Sequence, residues 1–571
     1  MALLQEFADA DVLGWADVHV AQRLCALAGE PDETVALAVG LLVAALRNGS
    51  VCIDLQSVAA LSEQTDTPEV AWPDPASWLA AVHASPLTGD PPVLRFLANS
   101  DTELLYLDRY WLEEQQVCRD VNARLETAQP VQPAPDLGRL FPGTFSEQRG
   151  AAEVALAQRL TILTGGPGTG KTTTVARLLA SIAEQADVSG AAPPRIALAA
   201  PTGKAAARLG DAVQSEVGKL AAVDRKRLAG LSATTLHRLL GSRPDTSSRF
   251  RHHRDNRLPH DVIVVDETSM VSLTMMARLL EATRPDARLL LVGDPDQLAS
   301  VDAGAVLADL VEGLGGGLCA GGIVELKTPH RFGESIGTLA RGVRAGDAAV
   351  VMELLRTGGE SIEWIDSEDP SAQLHDTLTG RAVALRQAAL IGDVAAALAI
   401  LDGHRLLCAH RRGPFGVAQW NRRVEHWLAE ATGAPTWSRW YAGQPVLVTT
   451  NAYGLKIYNG DTGVVVASPD GLRAHIGSPQ GSQHFATTRL PEVHTMHAMT
   501  IHKSQGSQAD EVTVLLPPQE SRLLTRELFY TAITRAQTKV RVVGPESAVR
   551  AAIGRRARRA SGLAQRLGAL R

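Results

Sequence analysis

The run GGPGTGKT, from Gly165 to Thr172, has the residue types and spacing that hold a nucleoside triphosphate. Gly165, Gly166, Pro167, Gly168, Thr169 and Gly170 make a turn whose backbone N–H groups can face phosphate oxygens, and a helix starting there adds its positive end. Lys171 is placed for the β- and γ-phosphates, Thr172 offers a hydroxyl to Mg²⁺, and Thr173 completes the ATP-binding set. Further on, VIVVDETSM delivers Asp266 and Glu267 to the end of a β-branched strand. Asp266 is the candidate Mg²⁺ partner, and Glu267 is placed to polarise an attacking water. LLLVGDPDQLASV then brings Asp294 and Gln297 to a third strand end, where the glutamine can touch both the γ-phosphate and that water.

Those residues need a scaffold. A chain of 571 residues is too long for one core and divides into roughly three or four domains. Residues 1–127 carry apolar residues at helical spacing and read as a mostly helical domain; AQPVQPAPDL (128–137) stacks prolines as a linker. From 138 the chain alternates short β-rich runs with helical stretches, as a parallel α/β sheet requires. A first α/β domain is expected over 138–322, with a hairpin near 241–260. A second is expected over 323–442 and 494–550, interrupted at 443–493 by small strands with a tight turn at NGDTG. Residues 551–571 form an Arg-rich tail that reads as a solvated or partly helical end.

Net charge of −6 and 21% charged residues exclude neither nucleic acid nor small substrates. The five cysteines include no CxxC pair, which argues against thiolate metal sites and disulfide frameworks. The longest apolar run, Val35 to Leu46, is too short to span a bilayer and reads as a buried helix with Gly49 at its C-cap. An acidic N-terminal stretch is unlike a signal peptide, so a cytoplasmic protein is expected.

The order phosphate loop, Asp-Glu, GDPDQL resembles superfamily 1 helicases, and other blocks fall where that family needs them. APTGKAAARL (200–209) is similar to its first DNA-contacting loop, ATTLHRLLG (233–241) to the next, and TMHAMTIHKSQGSQADEV (495–512) to the strand and loop of the second motor. The resemblance implies DNA contacts at Pro201, Thr202, Gly203, Lys204, Thr235, His237, Thr500, His502, Ser504 and Gln505, made to phosphates without reading sequence. It explains His494, His497 and His502 better than a metal site does. Aromatics are only 4% of the chain, against a stacking-dominated single-strand binder. A translocating motor needs a second wall whose cations reach the γ-phosphate; Arg331 in TPHRF and Arg535 in ELFYTAITRAQTKV are those candidates. Gln148 is similar to the glutamine that reads adenine, favouring ATP over GTP.

Within superfamily 1, nearly the whole chain resembles the RecD family, alpha subunits of a bacterial exonuclease complex with RecB and RecC. LLYLDRYWLEEQQV (104–117), RFRHHRDNRLPHD (249–261) and TTNAYGLKIYNGDTGVV (449–465) carry that likeness. TPHRF departs from it, standing where a tyrosine often precedes the arginine. The resemblance implies two RecA-like P-loop motors with an SH3-like β insertion in which Asn451 and Tyr453 touch DNA. It also implies a heterotrimer with RecB-like and RecC-like subunits, an N-terminal dock for the latter, and 5′→3′ movement on broken DNA ends. No nuclease carboxylate–lysine cluster is evident, so cutting is expected of a partner. SRPDTSSRFRHHRDNRLPHD occupies the position of a strand-separating pin, with a plain surface loop as the alternative. A free-standing helicase and a regulatory subunit with a dispensable ATPase are the rival readings. Residues 1–127 lack the helix–hairpin–helix elements of longer free-standing relatives, and the ATPase residues are intact.

Overall fold

The computed structural model describes residues 2–62, 70–98, 102–126, 137–243, 246–315, 322–328, 334–434, 438–455, 457–478, 481–490, 492–557 and 559–569. The linker expected at 128–137 lies outside them except for Leu137, which opens a short helix, Leu137–Leu140.

The N-terminal region has helices Ala2–Asp9, Trp15–Ala28, Glu33–Arg47 and Pro75–Ala84. The apolar run read as a buried helix is Glu33–Arg47; the Asp32 carboxylate caps it at Thr34 N (2.8 Å), and Leu37, Ala38, Val39 and Leu42 are fully buried. Gly49 follows the helix end with φ +91°, and a Cβ there would strike the Arg559 guanidinium. A three-stranded antiparallel sheet was missed. Glu103–Leu107 sits between Cys52–Asp54 and Leu94–Ala98, so the LLYL stretch is a strand and only the following Asp108–Glu126 is helix. That helix lies on Leu273–Ala282 of the first motor, where buried Arg124 donates to Leu280 O (2.9 Å) and Thr283 O (3.0 Å) at the other helix's end.

The first motor is a six-stranded parallel sheet ordered Ile323–Leu326, Leu160–Gly165, Arg288–Gly293, Val262–Val265, Ile196–Ala200, Ala233–Thr235. Its strands are apolar on both faces because helices cover both. Leu163, Val264 and Leu290 meet helices Ser146–Ala157, Lys171–Val188 and Gly203–Gly218. Ile162, Ile263 and Leu291 meet Leu273–Ala282 and Val306–Gly313. The second motor is also parallel, ordered Ile362–Ile365, Ala536–Val543, Ala509–Leu515, His404–Cys408, Ala498–Thr500. Between its last two strands in that order the chain inserts a five-stranded antiparallel sheet, Pro445–Val448 to Val493–Thr495. Ser242–Arg243 pairs with Thr246–Phe250 as a two-stranded hairpin.

Two expectations are corrected. Ile323 does not open the second motor: Ile323–Leu326 hydrogen-bonds in parallel to the phosphate-loop strand, and its Ile323 and Leu326 close the first core. The tail, read as a solvated or partly helical end, is helical in part but is not solvated. After Glu546–Gly554 the chain crosses back to the first motor and the N-terminal region, where Val51 N donates to Ala560 O (2.9 Å). Helix Leu563–Gly568 then buries Leu563 and Leu567 completely, against Val306–Gly313 and Asp108–Glu126. Buried Glu114 ties this strap down, accepting from Ser561 Oγ (2.8 Å), Gly562 N (3.1 Å), Tyr106 Oη (3.0 Å) and Arg566 Nε (3.3 Å). The guanidinium of Arg566 stacks over Trp111, 4.9 Å from the ring centre, so one of the arginines that made the tail read as solvated is itself packed.

Leu567→Ala is therefore expected to cost about 2–5 kcal/mol and to lower the thermal midpoint of the full chain. A solvated tail would leave the melt unchanged.

Candidate active site and nucleic-acid interface

The phosphate loop connects the all-buried strand Leu160–Gly165 to helix Lys171–Val188. Gly170 caps that helix with φ +88°, a backbone shape that side-chain-bearing residues rarely adopt. Lys171 Nζ donates to Gly165 O (2.6 Å) and Gly166 O (3.0 Å), which folds its ammonium over the loop. Buried Gln148 donates from Nε2 to Thr169 O (3.3 Å) and stands at the mouth of the loop. Glu267 has φ +52°, a left-handed conformation uncommon for glutamate, while its N–H donates to Asp266 Oδ1 (2.9 Å). Burial, then the neighbouring Glu267, pushes the Asp266 carboxyl up to about 6.

The second motor supplies the opposite wall. Helix Arg526–Ile533 carries Tyr530, whose Oη donates to Asp294 Oδ2 (3.1 Å), and Thr531, whose Oγ1 accepts from Leu298 N (2.9 Å). Arg535 donates from Nη2 to Gln297 Oε1 (3.1 Å) and from Nε to Thr531 O (3.1 Å). Gln297 in turn donates to Asp294 Oδ2 (3.0 Å). The cavity so enclosed measures about 490 Å³, and Gln148, Pro167, Gly168, Gly170, Lys171, Thr172, Thr173, Asp266, Glu267, Asp294, Gln297 and Arg535 line it. Arg331 lies outside the described residues.

Sequence reasoning missed two arginines. Arg208, on helix Gly203–Gly218, lines the same cavity. Arg344, on helix Glu334–Ala345 of the second motor, bridges Asp296 (2.5 Å) and Glu325 (2.8 Å) of the first, holding the GDPDQ loop from behind. Arg208 stands four residues after Lys204 and was open to inference as a same-face neighbour; Arg344 has no local signal at all.

Of the residues expected to meet DNA, Thr202, Thr235 and Thr500 each cap a helix through Oγ1, at Ala205 N (3.2 Å), Arg238 N (3.3 Å) and Lys503 N (3.3 Å). Pro201, Gly203 and Lys204 lie at the first of these caps, His237 at the second with its ring edge toward Phe250, and His502 at the third. The turn Tyr458–Asp461 of the inserted sheet descends on them. A Cβ at Gly203 would come within 2.7 Å of Tyr458 Cγ, Lys204 Nζ donates to Gly460 O (3.4 Å), and Lys503 Nζ donates to Asn459 Oδ1 (2.7 Å). Asn451 Oδ1 accepts from Asn459 N (2.9 Å); Tyr453 lies in the turn Tyr453–Leu455. Burial lowers the Lys204 ammonium to about 8, which still leaves it mostly charged near neutral pH. Ser504 and Gln505 do not join this surface. Buried Ser504 donates from Oγ to Ile501 O of its own helical turn (2.7 Å), and Gln505 donates from Nε2 across the interface to Leu298 O of the first motor (2.9 Å). Half-buried His497 meets Tyr441 Oη (2.9 Å), and desolvation of its ring lowers it to about 3. No group of His, Cys, Asp and Glu among the described residues could hold a metal by itself, and no helix among them is long and apolar enough to cross a membrane.

Comparison with known proteins gives consistent matches. Residues 9–104 match the family described as RecBCD enzyme subunit RecD, N-terminal domain; 148–303 match an AAA domain, and 495–543 a UvrD-like helicase C-terminal domain. The chain is 67% identical over 567 residues to the RecBCD enzyme subunit RecD of Mycolicibacterium smegmatis, covering 99% of each. It is 64% identical over 565 residues to that of Mycobacterium tuberculosis, covering 99% of this chain and 96% of the other. With the ATP-dependent RecD2 DNA helicase of Deinococcus radiodurans it shares 31% identity over 417 residues, 72% of this chain but 51% of that protein.

Lys204→Ala is expected to weaken single-stranded DNA binding about equally across sequences and to flatten the slope of log K against log salt by about 0.7, one phosphate contact. Titrations at several salt concentrations check it; an unchanged slope removes Lys204 from the phosphate track.

Proposed function

The chain belongs to the RecD family of RecBCD enzyme subunits, and from that premise we propose that it is the 5′→3′ DNA motor of a cytoplasmic helicase–nuclease that processes double-strand breaks. Its partners in this reading are a RecB-like and a RecC-like subunit, with the domain of residues 1–127 docking on the latter and the nuclease carried elsewhere. The observation that carries the motor reading is the hydrogen bond from Arg535 to Gln297, which joins the two walls above an intact set of Lys171, Asp266 and Glu267. A regulatory subunit with a dispensable ATPase has no need of that arrangement.

In this reading Lys171 leaves the loop carbonyls to hold the β- and γ-phosphates, and Gln148 contacts the adenine. Glu267 orients the attacking water and takes its proton, while Arg535, Gln297 and Arg331 steady the charge that develops on the transferred phosphoryl group. Mg²⁺ fits Thr172 and Asp266, because two adjacent carboxyls set back from solvent, one of them held near pH 6, favour a cation between protein and phosphate. Bound there, Mg²⁺ supplies charge neutralisation on the phosphate oxygens. The threonine caps, Lys204 and His502 hold successive DNA phosphates, with Asn451 and Tyr453 of the SH3-like insertion above them. Opening and closing of the cleft then moves one set of contacts along the strand relative to the other.

Lys171→Gln is expected to reduce the chain's DNA-stimulated ATP hydrolysis by on the order of 10²-fold or more and to slow unwinding by the assembled complex. Unchanged unwinding from tailed ends would defeat the motor reading. The hairpin Ser242–Phe250 is the pin of this reading, anchored by Phe250 in the first core. Replacing residues 244–249 by a short glycine link is expected to abolish strand separation and spare ATPase; survival of both assigns the hairpin to the surface alone.

A further inference from the structure

Helix Gly203–Gly218 belongs to both sites at once. Its first turn carries Gly203 and Lys204 beneath the Tyr458–Asp461 turn, on the DNA side. Four residues later, about 6 Å along the axis and on the same face, Arg208 reaches the nucleotide cavity beside Lys171, Glu267 and Arg535. Arg208 Nη2 donates to Gln508 Oε1 of the second motor at 2.6 Å. Gln508 ends the segment that begins with Thr500 and His502 on the DNA track, and three residues before it Gln505 holds Leu298 O, next to Gln297. A guanidinium presents five N–H donors in a rigid fork, so one edge can hold an amide oxygen while another faces phosphate.

We propose that Arg208 is a coupling residue of this motor: one edge of its guanidinium faces the terminal phosphate of ATP while another keeps Gln508, so that nucleotide and DNA favour the same closed arrangement of the two domains. The proposal rests on the motor reading above. Arg535 comes to the phosphates from the second wall; Arg208 comes from the first, on the helix that also grips the strand. Loss of the terminal phosphate on hydrolysis removes one of its two anchors and loosens the contact between Arg208 and Gln508. Coupling of this kind is reciprocal, so it must appear as tighter DNA binding in the presence of nucleotide by the same factor as tighter nucleotide binding in the presence of DNA.

The test uses the full chain assembled with its partners, their own motor inactivated. Affinity for an oligothymidylate is measured with and without a non-hydrolysable ATP analogue, and the ratio is the coupling. Arg208→Ala and Gln508→Ala are both expected to reduce that ratio by about tenfold or bring it to one. Arg208→Lys is expected to keep analogue affinity yet lose the coupling, because an ammonium lacks the two-edged fork. A wild-type ratio of one, or a Gln508→Ala ratio equal to wild type, overturns the proposal even if Arg208→Ala does not fold. Absence of DNA-stimulated ATPase in the wild-type complex would instead overturn the motor reading, and this proposal with it.

Discussion

A guanidinium with 4% of its surface exposed costs several kcal/mol unless its N–H groups find acceptors, and Arg535 finds them on two domains. Thr531 O and Ser507 O come from its own side, and Gln297 Oε1 from the other. The placement of much else follows. Gln297 must be fixed to receive it, so Asp294 accepts from Gln297 and from Tyr530 in turn. The loop bearing them must be held from behind, so Arg344 pairs with Asp296, whose carboxyl burial raises to about 6. Arg344 is itself 40% exposed, so solvent screens this pair and it steadies the loop without locking it. A cleft balanced this closely responds to the arrival and loss of a phosphate.

The chemistry at the strand ends was legible because it is local. A β-branched run followed by Gly, Asp or Glu announces both the strand and what it delivers, and Lys171, Asp266 and Gln297 lie on one cavity as their spacing suggested. What escaped sequence reading depends on distant partners. Ile323–Leu326 has the same apolar pattern whichever sheet it joins, and only its pairing with Leu160–Gly165 decides. Ser504 and Gln505 are polar residues on a helical turn, which suits a DNA surface as well as an interdomain contact; the carbonyls of Ile501 and Leu298 settle where they point. Glu103–Leu107 was absorbed into a helical reading because a five-residue strand offers too few positions to distinguish a period of two from one of 3.6.

The inserted sheet changes how the DNA face is read. Its Tyr458–Asp461 turn rests on Gly203 with no space for a side chain between them, and it shares Lys204 and Lys503 with the motors. Lys204, proposed to hold a DNA phosphate, and Lys503 beside it are thus paired with backbone and amide oxygens of neutral groups. Such contacts are weaker than ion pairs and give way to phosphate without leaving a buried charge behind. Glycine at 203 is what lets backbone and aromatic ring approach so closely.

The strap that carries Ala560 and Leu563–Gly568 has a consequence for how the molecule comes to be made. Ser50 and Ala560, joined by a hydrogen bond, are 510 residues apart in the chain. A ribosome adding about 5–20 residues per second needs on the order of a minute to travel between them. Throughout that interval Val51 N and the carboxylate of Glu114 wait without their final partners, and the N-terminal region cannot take up its finished seat on the first motor. Synthesis of the strap is therefore the step that completes the seat of the N-terminal region on the first motor, so a ribosome stalled short of it releases a chain with both motors' sheets complete in sequence but that seat unfastened at one edge.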